Sequence, residues 1–276
     1  MTYSTLMVQL ELEHPNDARL RVASDLAEQF GAKLIGIAAC EESTPLYYAD
    51  GAFAQGLAEQ DRVELARRLA ETEERFRAAA KGRAQTVEWR SALASPTNYV
   101  AQQARAADLI ITGTNRDGWA LDPARRLDPS ALVMQVGRPV FFVPPEAEWL
   151  KLGTVLVAWK DTREARRAVW DAIPLLQRAQ EITIAEVPEG GEGPETARNR
   201  AHDVAAWLAR HGVAADVLVP EAVDNASERL ELIASDLGAD LVVAGAYGHT
   251  RLGEWMFGGV TRDLVTRSTR CSVFAH

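Results

Sequence analysis

The run Asp240-Leu-Val-Val-Ala-Gly245-Ala-Tyr-Gly248, followed after nine residues by Gly258-Gly259-Val-Thr261, decides how this chain is read. Its apolar first part has strand character, and the spaced glycines let the backbone turn tightly and approach an anion without Cβ clashes. An amphipathic stretch follows, and the amides that open a helix are unpaired and carry partial positive charge. Such a loop can hold a nucleotide, with Gly245, Ala246, Tyr247, Gly248, His249, Gly258, Gly259, Val260 and Thr261 as the residues nearest to it.

Working outward, the same pattern occurs earlier in the chain. Ala107-Asp108-Leu109 recurs as Ala239-Asp240-Leu241, Gly113 as Gly245, Leu132-Val133 as Leu264-Val265 and Arg138 as Arg270, all at one spacing. Thr5-Leu-Met-Val8 similarly returns as Thr154-Val-Leu-Val157. The chain reads as an internal duplication, with extra residues in the first copy between Cys40 and Arg90. Each copy alternates short apolar runs with helical patterns, the signature of a parallel sheet covered by helices. Strands are expected at 4–12, 32–40, 85–91, 107–113, 139–143, 153–160, 180–187, 213–219, 239–245 and 271–275. Helices are expected near 16–30, 57–81, 96–106, 129–136, 163–178, 194–211, 225–237 and 259–269, the fifth kinked by Pro174. The prolines of Val143-Pro-Pro-Glu end a strand, so domains of 1–149 and 150–276 are expected.

Composition sets limits. A chain of 276 residues, 47% hydrophobic and 25% charged, suffices for two cores, and no apolar stretch approaches the roughly 18 to 20 residues of a membrane span. A net charge of −9 argues against nucleic-acid binding, which relies on clustered Lys and Arg. The start lacks a basic region before acidic residues appear, so a cytoplasmic location is expected. Cys40 and Cys271 edge apolar runs with no CxxC nearby and read as buried small hydrophobes; no metal site is expected beyond nucleotide-associated Mg.

A duplicated α/β unit ending in G-x2-G-x9-G, a helix and a last apolar strand resembles the universal stress protein family in its tandem form. The segment Val155-Leu-Val-Ala-Trp-Lys-Asp-Thr-Arg-Glu is similar to that family's first strand and the turn after it. The resemblance implies two adenine nucleotide alpha hydrolase-like domains, each a five-stranded, mostly parallel sheet in the order 3-2-1-4-5 flanked by helices. It implies that the last strands of the two copies, Pro139-Val-Phe-Phe-Val143 and Cys271-Ser-Val-Phe-Ala275, pair as an intrachain pseudo-dimer, which hides two sheet edges. It also implies ATP or another adenine nucleotide in the crevice beyond the strand ends, against Ala158, Trp159, Lys160, Asp161 and Val187 and the glycine segment.

Two positions depart from the family pattern. Gly259 stands where a Ser or Thr is usual, with Thr261 two residues on, and one lost charge-assisted hydrogen bond weakens binding about ten- to a hundredfold. Lys160 stands where an acidic acceptor is usual, and lysine only donates. A phosphate contact by Lys160, a one-residue shift to Asp161 and a decayed adenosine subsite are the readings left open. In the first copy, Gly248, Gly258, Gly259 and Thr261 correspond to Arg116, Arg126, Leu127 and Pro129, so no glycine cradle forms. The first copy therefore reads as a structural partner, with Arg116, Arg125 and Arg126 as candidates to attract an anion.

Other residues carry weaker signals. Trp159 and Trp255 flank the crevice, whereas Trp170 and Trp207 read as helix residues packed on the sheet. Glu64 to Lys81, with Leu65, Leu69 and Phe76 as its apolar positions, reads as the solvated face of a long helix. The aromatic segment 41–56 is a lid, a contact surface or a surface connection whose aromatics pack on the domain. P-loop and nucleophile-elbow patterns are missing. The expectation is therefore a non-catalytic, stress-responsive nucleotide binder or sensor with an unknown regulatory protein partner, monomeric with internal pseudo-symmetry or homodimeric. The alternatives are an interaction protein that has lost nucleotide binding, and an enzyme acting on a nucleotide or phosphate.

Overall fold

The computed structural model describes residues 2–42, 51–114, 125–150, 152–188, 193–221, 223, 225–246 and 269–276. Tyr247, Gly248, His249, Gly258, Gly259, Val260, Thr261, Trp255, Arg116 and the helix expected at 259–269 lie outside them, as does most of the loop within 41–56.

Apolar runs rich in β-branched residues become strands because every second side chain can be buried on each face of a pleated ribbon. In chain order the first half holds β1 (Thr5–Gln9), α1 (Asp17–Phe30), β2 (Lys33–Cys40), α2 (Gly51–Ala80), β3 (Val87–Leu93), α3 (Pro96–Gln103), β4 (Leu109–Gly113), α4 (Pro129–Val136) and β5 (Val140–Val143). The second half holds β6 (Thr154–Ala158), α5 (Arg163–Leu176), β7 (Glu181–Ala185), α6 (Pro194–Arg210), β8 (Asp216–Leu218), α7 (Ala226–Asp236), β9 (Leu241–Gly245) and β10 (Cys271–Ala275). α5 runs unbroken through Pro174, which sits in its last turn, where a missing amide costs one bond and the helix ends two residues later.

The strands form one ten-stranded sheet in the order β3-β2-β1-β4-β5-β10-β9-β6-β7-β8. Each half is thus a parallel five-stranded sheet in the order 3-2-1-4-5, and the halves join through the antiparallel pair β5 and β10, with Val273 opposite Phe141. The Phe142 and Phe274 rings meet edge to face at 5.8 Å across this seam. Both inner edges are thereby paired, and among the described residues β3 and β8 remain as the sheet edges.

Alternation along the strands builds two cores. Leu6, Val8, Val155, Val157 and Trp159 face the side covered by α1, α2, α5 and α6, whereas Met7, Leu156 and Ala158 face α3, α4 and α7. The extra residues of the first half lie mainly in α2, 30 residues long against 17 in its counterpart α6. Leu65, Leu69 and Phe76 are buried along it, and Phe76 packs so closely over Gly36 of β2 that a Cβ there would lie 2.7 Å from the ring.

The repeated Ala-Asp-Leu now has a physical explanation. Asp108 accepts from the amides of Ser4 and Thr5 at 2.8 and 2.9 Å, and Asp240 from those of Gly153 and Thr154 at 3.1 and 3.0 Å. In each half a carboxylate ties the start of the fourth strand to the start of the first, satisfying two amides that precede their ladder.

Across the seam, Tyr3 before β1 reaches α5, and Arg178 after α5 reaches the end of α1. The Tyr3 hydroxyl donates to the Asp171 carbonyl (2.6 Å), Arg178 donates to the Gln29 carbonyl (2.8 Å), and its guanidinium lies 4.2 Å from the centre of the Phe30 ring.

Candidate functional site

The carboxyl ends of β6, β7 and β9 lie side by side, because β9 pairs with β6 and β6 with β7. β6 leads into α5 on one face, whereas α7, which precedes β9, covers the other, so β6 and β9 flank the switch point at which open α/β sheets bind ligands. Ala158, Trp159, Lys160, Asp161, Val187, Gly245 and Ala246 are all gathered at this edge.

Gly245 has a structural reason to be glycine. A Cβ there would lie 2.4 Å from the Ala165 amide nitrogen and 2.7 Å from the Glu164 carbonyl carbon, because the first turn of α5 sits directly on the end of β9. At Gly113, its counterpart, the nearest atom is the Arg19 Nε at 2.7 Å, the end of a side chain rather than backbone.

The amides nearest the strand ends are already used. Ala246 donates to the Ala275 carbonyl at 2.9 Å, and Trp159 to the Ala185 carbonyl at 2.8 Å. His276 Nδ1 lies 3.3 Å from the Ala246 carbonyl, a geometry that suits the tautomer with its proton on Nδ1. The start of α5 is capped, since Thr162 Oγ1 accepts from the Ala165 amide at 3.2 Å. Glu164 is buried in that first turn; burial pushes its carboxyl up, yet hydrogen bonds, the Arg163 one foremost, bring it below its ordinary value. A capped helix start with its own carboxylate does not attract a phosphate.

On the α7 face, Ala158, Ala185, Ala244 and Ala246 are buried together, with Val187 half-buried beside them. Trp159 points to the opposite face and is buried at 7% exposure, its indole Nε1 enclosed without an acceptor. The exposed Asp161 pairs with Arg166. Behind them the carboxylate of Glu186, 3% exposed, is held by Arg200 at 2.9 Å from its Nε.

The tryptophan roles differ in part from the sequence expectation. Trp159 joins the core and, together with Trp170 and Trp207, lines a cavity of about 490 Å³ between α5 and α6; Trp207 packs against the core as expected, whereas Trp170 is 37% exposed. The two indoles meet each other across α5 and α6, their ring centres 6.0 Å apart, and so border the cavity instead of being enclosed by the sheet. Neither the cavity nor the Glu186 and Arg200 pair has a signal in the sequence, because the partners come from separate elements with no periodic relation.

In the first half, Arg125 is engaged by Asp61 at 2.6 Å and approaches Glu13, so two carboxylates already neutralise this anion candidate. Arg126 likewise has interactions of its own. Among the described residues no group of three or more His, Cys, Asp and Glu is placed to hold a metal ion, and no helix is long and apolar enough to cross a membrane.

Residues 151–275 match the Universal stress protein family, so the second half carries a domain of that family. No curated protein matches the chain. Among solved structures, a universal stress protein from Archaeoglobus fulgidus DSM 4304 aligns with 98% of this chain and 94% of its own, at 14% identity and a TM-score of 0.69. A functionally unknown protein from Pseudomonas aeruginosa PAO1 aligns over 98% and 92%, at 16% identity and a TM-score of 0.55. At these identities the likeness is one of fold, and it extends over both halves. A universal stress protein in complex with cAMP aligns with 52% of this chain and 98% of its own at 20% identity, with a TM-score of 0.34, too low for an argument of shared geometry.

Proposed function

We propose that this chain is a stress-response protein of the cytoplasm whose second half binds an adenine nucleotide, ATP first, without turning it over. The observation that carries this reading is the family match of residues 151–275 combined with the juxtaposition of the β6, β7 and β9 ends, from which the glycine-spaced segment departs directly. Small side chains on the α7 face of that edge support it, since a nucleoside needs room beside the strand ends. The first half serves as the structural partner that covers the β10 edge. Nucleotide-associated Mg is the only metal this reading involves.

A second reading has its own support. Lys160 replaces an acceptor, the Ala246 and Trp159 amides are committed to the sheet, and the start of α5 is capped, so an interaction protein that has lost its nucleotide accounts for the edge equally simply. Mass spectrometry of small molecules released on denaturing freshly purified protein, followed by thermal-shift titrations with ATP, ADP and AMP, separates the two. Co-purified adenine nucleotide, or a rise in melting temperature that Gly248→Val abolishes, supports the first. Absence of both supports the second, and phosphate release sensitive to Gly248→Val would move the assignment to an enzyme. Gly248 is the position to substitute, because any side chain at Gly245 disturbs α5 packing whether or not nucleotide binds.

A further inference from the structure

The two helix pairs on one face of the sheet are built differently. In the first half α1 and α2 touch directly, with Ser24 of α1 donating to the Ala79 carbonyl of α2 at 3.3 Å, and Arg83 just beyond α2 pairs with Asp25 and Glu28 of α1. In the second half α5 and α6 meet through Trp170 and Trp207, and beside that contact the 490 Å³ cavity opens between them. Its apolar wall is made by Trp159, Val169, Trp170, Val204 and Trp207. The Trp170 and Trp207 rings lie 6.0 Å apart, and His211 closes on Trp207 at 4.6 Å, so one end is an aromatic cluster.

The polar lining is Asp161, Arg166, Arg200 and Asp203, two carboxylates against two guanidiniums, with Arg166 on Asp161 and Arg200 drawn to Glu186 behind the wall. A cavity with paired charges, aromatic walls and a volume inside the roughly 300 to 1,000 Å³ range of small-molecule sites favours a flat, uncharged guest. One polar requirement remains. Trp159 is more than nine-tenths buried and its indole N–H has no acceptor among the described residues, an unmet demand that a ligand can satisfy.

We propose that the cavity between α5 and α6 is a binding site for a small planar heteroaromatic molecule that carries a hydrogen-bond acceptor, held by the Trp159, Trp170 and Trp207 indoles and accepting from the Trp159 N–H. That N–H is screened from water, so binding includes a small turn of the indole that presents it to the guest. The site lies on the α5 and α6 face, opposite the alanine-lined face at the ends of β6, β7 and β9, and does not depend on nucleotide binding there.

Quinoline and indole test this as a pair of flat bicycles of similar size, the first with an acceptor nitrogen and the second with a donor only. Titrated into the uniformly 15N-labelled full chain, which has seven tryptophans, they are followed by the indole N–H resonances, assigned through single Trp→Phe variants. The expected result is saturable movement of the Trp159, Trp170 and Trp207 signals, with quinoline binding about three- to tenfold more tightly, the worth of one neutral hydrogen bond. Trp159→Phe keeps a ring in place and should bring the two compounds to equal affinity. Val204→Trp, filling the cavity from α6, should abolish the shifts while the rest of the spectrum stays folded. Equal affinity in the unaltered chain, no saturable shift, or shifts that persist in Val204→Trp would overturn the proposal. Loss of quinoline binding in Gly248→Val would overturn the independence of the two sites, whereas failure of ATP to bind leaves this site standing.

Discussion

Gly245 illustrates how one residue can have two reasons to be what it is. Its place in a glycine-spaced segment suggests ligand contact, yet the packing of α5 against β9 already excludes a Cβ. Gly245→Ala must push helix backbone away, and a destabilisation of about 2–3 kcal/mol is expected from such overpacking. Gly113→Ala displaces only the Arg19 side chain and should cost less; chemical denaturation of both variants checks the order. The aspartates before β4 and β9 act at the same scale. Asp240→Ala removes an acceptor shared by two amides and should cost about 2–3 kcal/mol, with Asp108→Ala similar, by the same measurement. Equal, negligible effects at both aspartates would show that water replaces the carboxylate at no cost.

At the scale of elements, β10 combines a seam with a buried thiol. Burial, and then the nearby charge of Asp240, push the Cys271 thiol up to about 12 from an ordinary value of 9.0. The folded state keeps its proton while the unfolded chain loses it, so this contribution to stability is complete below about pH 9 and is lost as pH rises toward 12. The stability difference between the parent chain and Cys271→Ala should therefore shrink between pH 8 and pH 11. A constant difference would mean that the thiol ionises alike in both states. Thiol reagents at pH 8 should likewise leave native Cys271 unmodified.

How far such elements were legible in the sequence depends on where their information lies. Strand and helix positions follow from periodicity along one segment, and all ten strands stand where alternation put them, in the order the resemblance implied. α4 occupies Pro129–Val136 as expected because Pro at its start, Asp128 as its cap and Gly137 after it mark both ends locally. Side-chain roles that depend on spacing between elements were not legible. Trp170 has the pattern of a core residue, yet it is 37% exposed and borders the cavity between α5 and α6 beside Trp159 and Trp207. Likewise, Ala246 stands in the glycine segment by sequence, while its amide belongs to the sheet because β10 returns beside β9.

For the molecule as a whole, the seam has mechanical consequences. Phe141, Phe142, Val273 and Phe274 are fully buried, and Tyr3 and Arg178 tie the two halves together beside them. The halves should therefore unfold in one cooperative step, with calorimetric and van't Hoff enthalpies equal. Phe274→Ala removes a ring from both the seam and the second core, and about 3–5 kcal/mol of stability should go with it. Two separate transitions in the parent chain would contradict the account of a continuous sheet.

The nucleotide reading concerns the second half alone, and isothermal titration calorimetry of the intact chain with Mg-ATP tests it most directly. The account predicts saturable binding of one nucleotide per chain, lost in Gly248→Val and retained in Arg126→Ala of the first half. Heats that never exceed dilution up to millimolar ATP, or binding that survives Gly248→Val and disappears in Arg126→Ala, would contradict it.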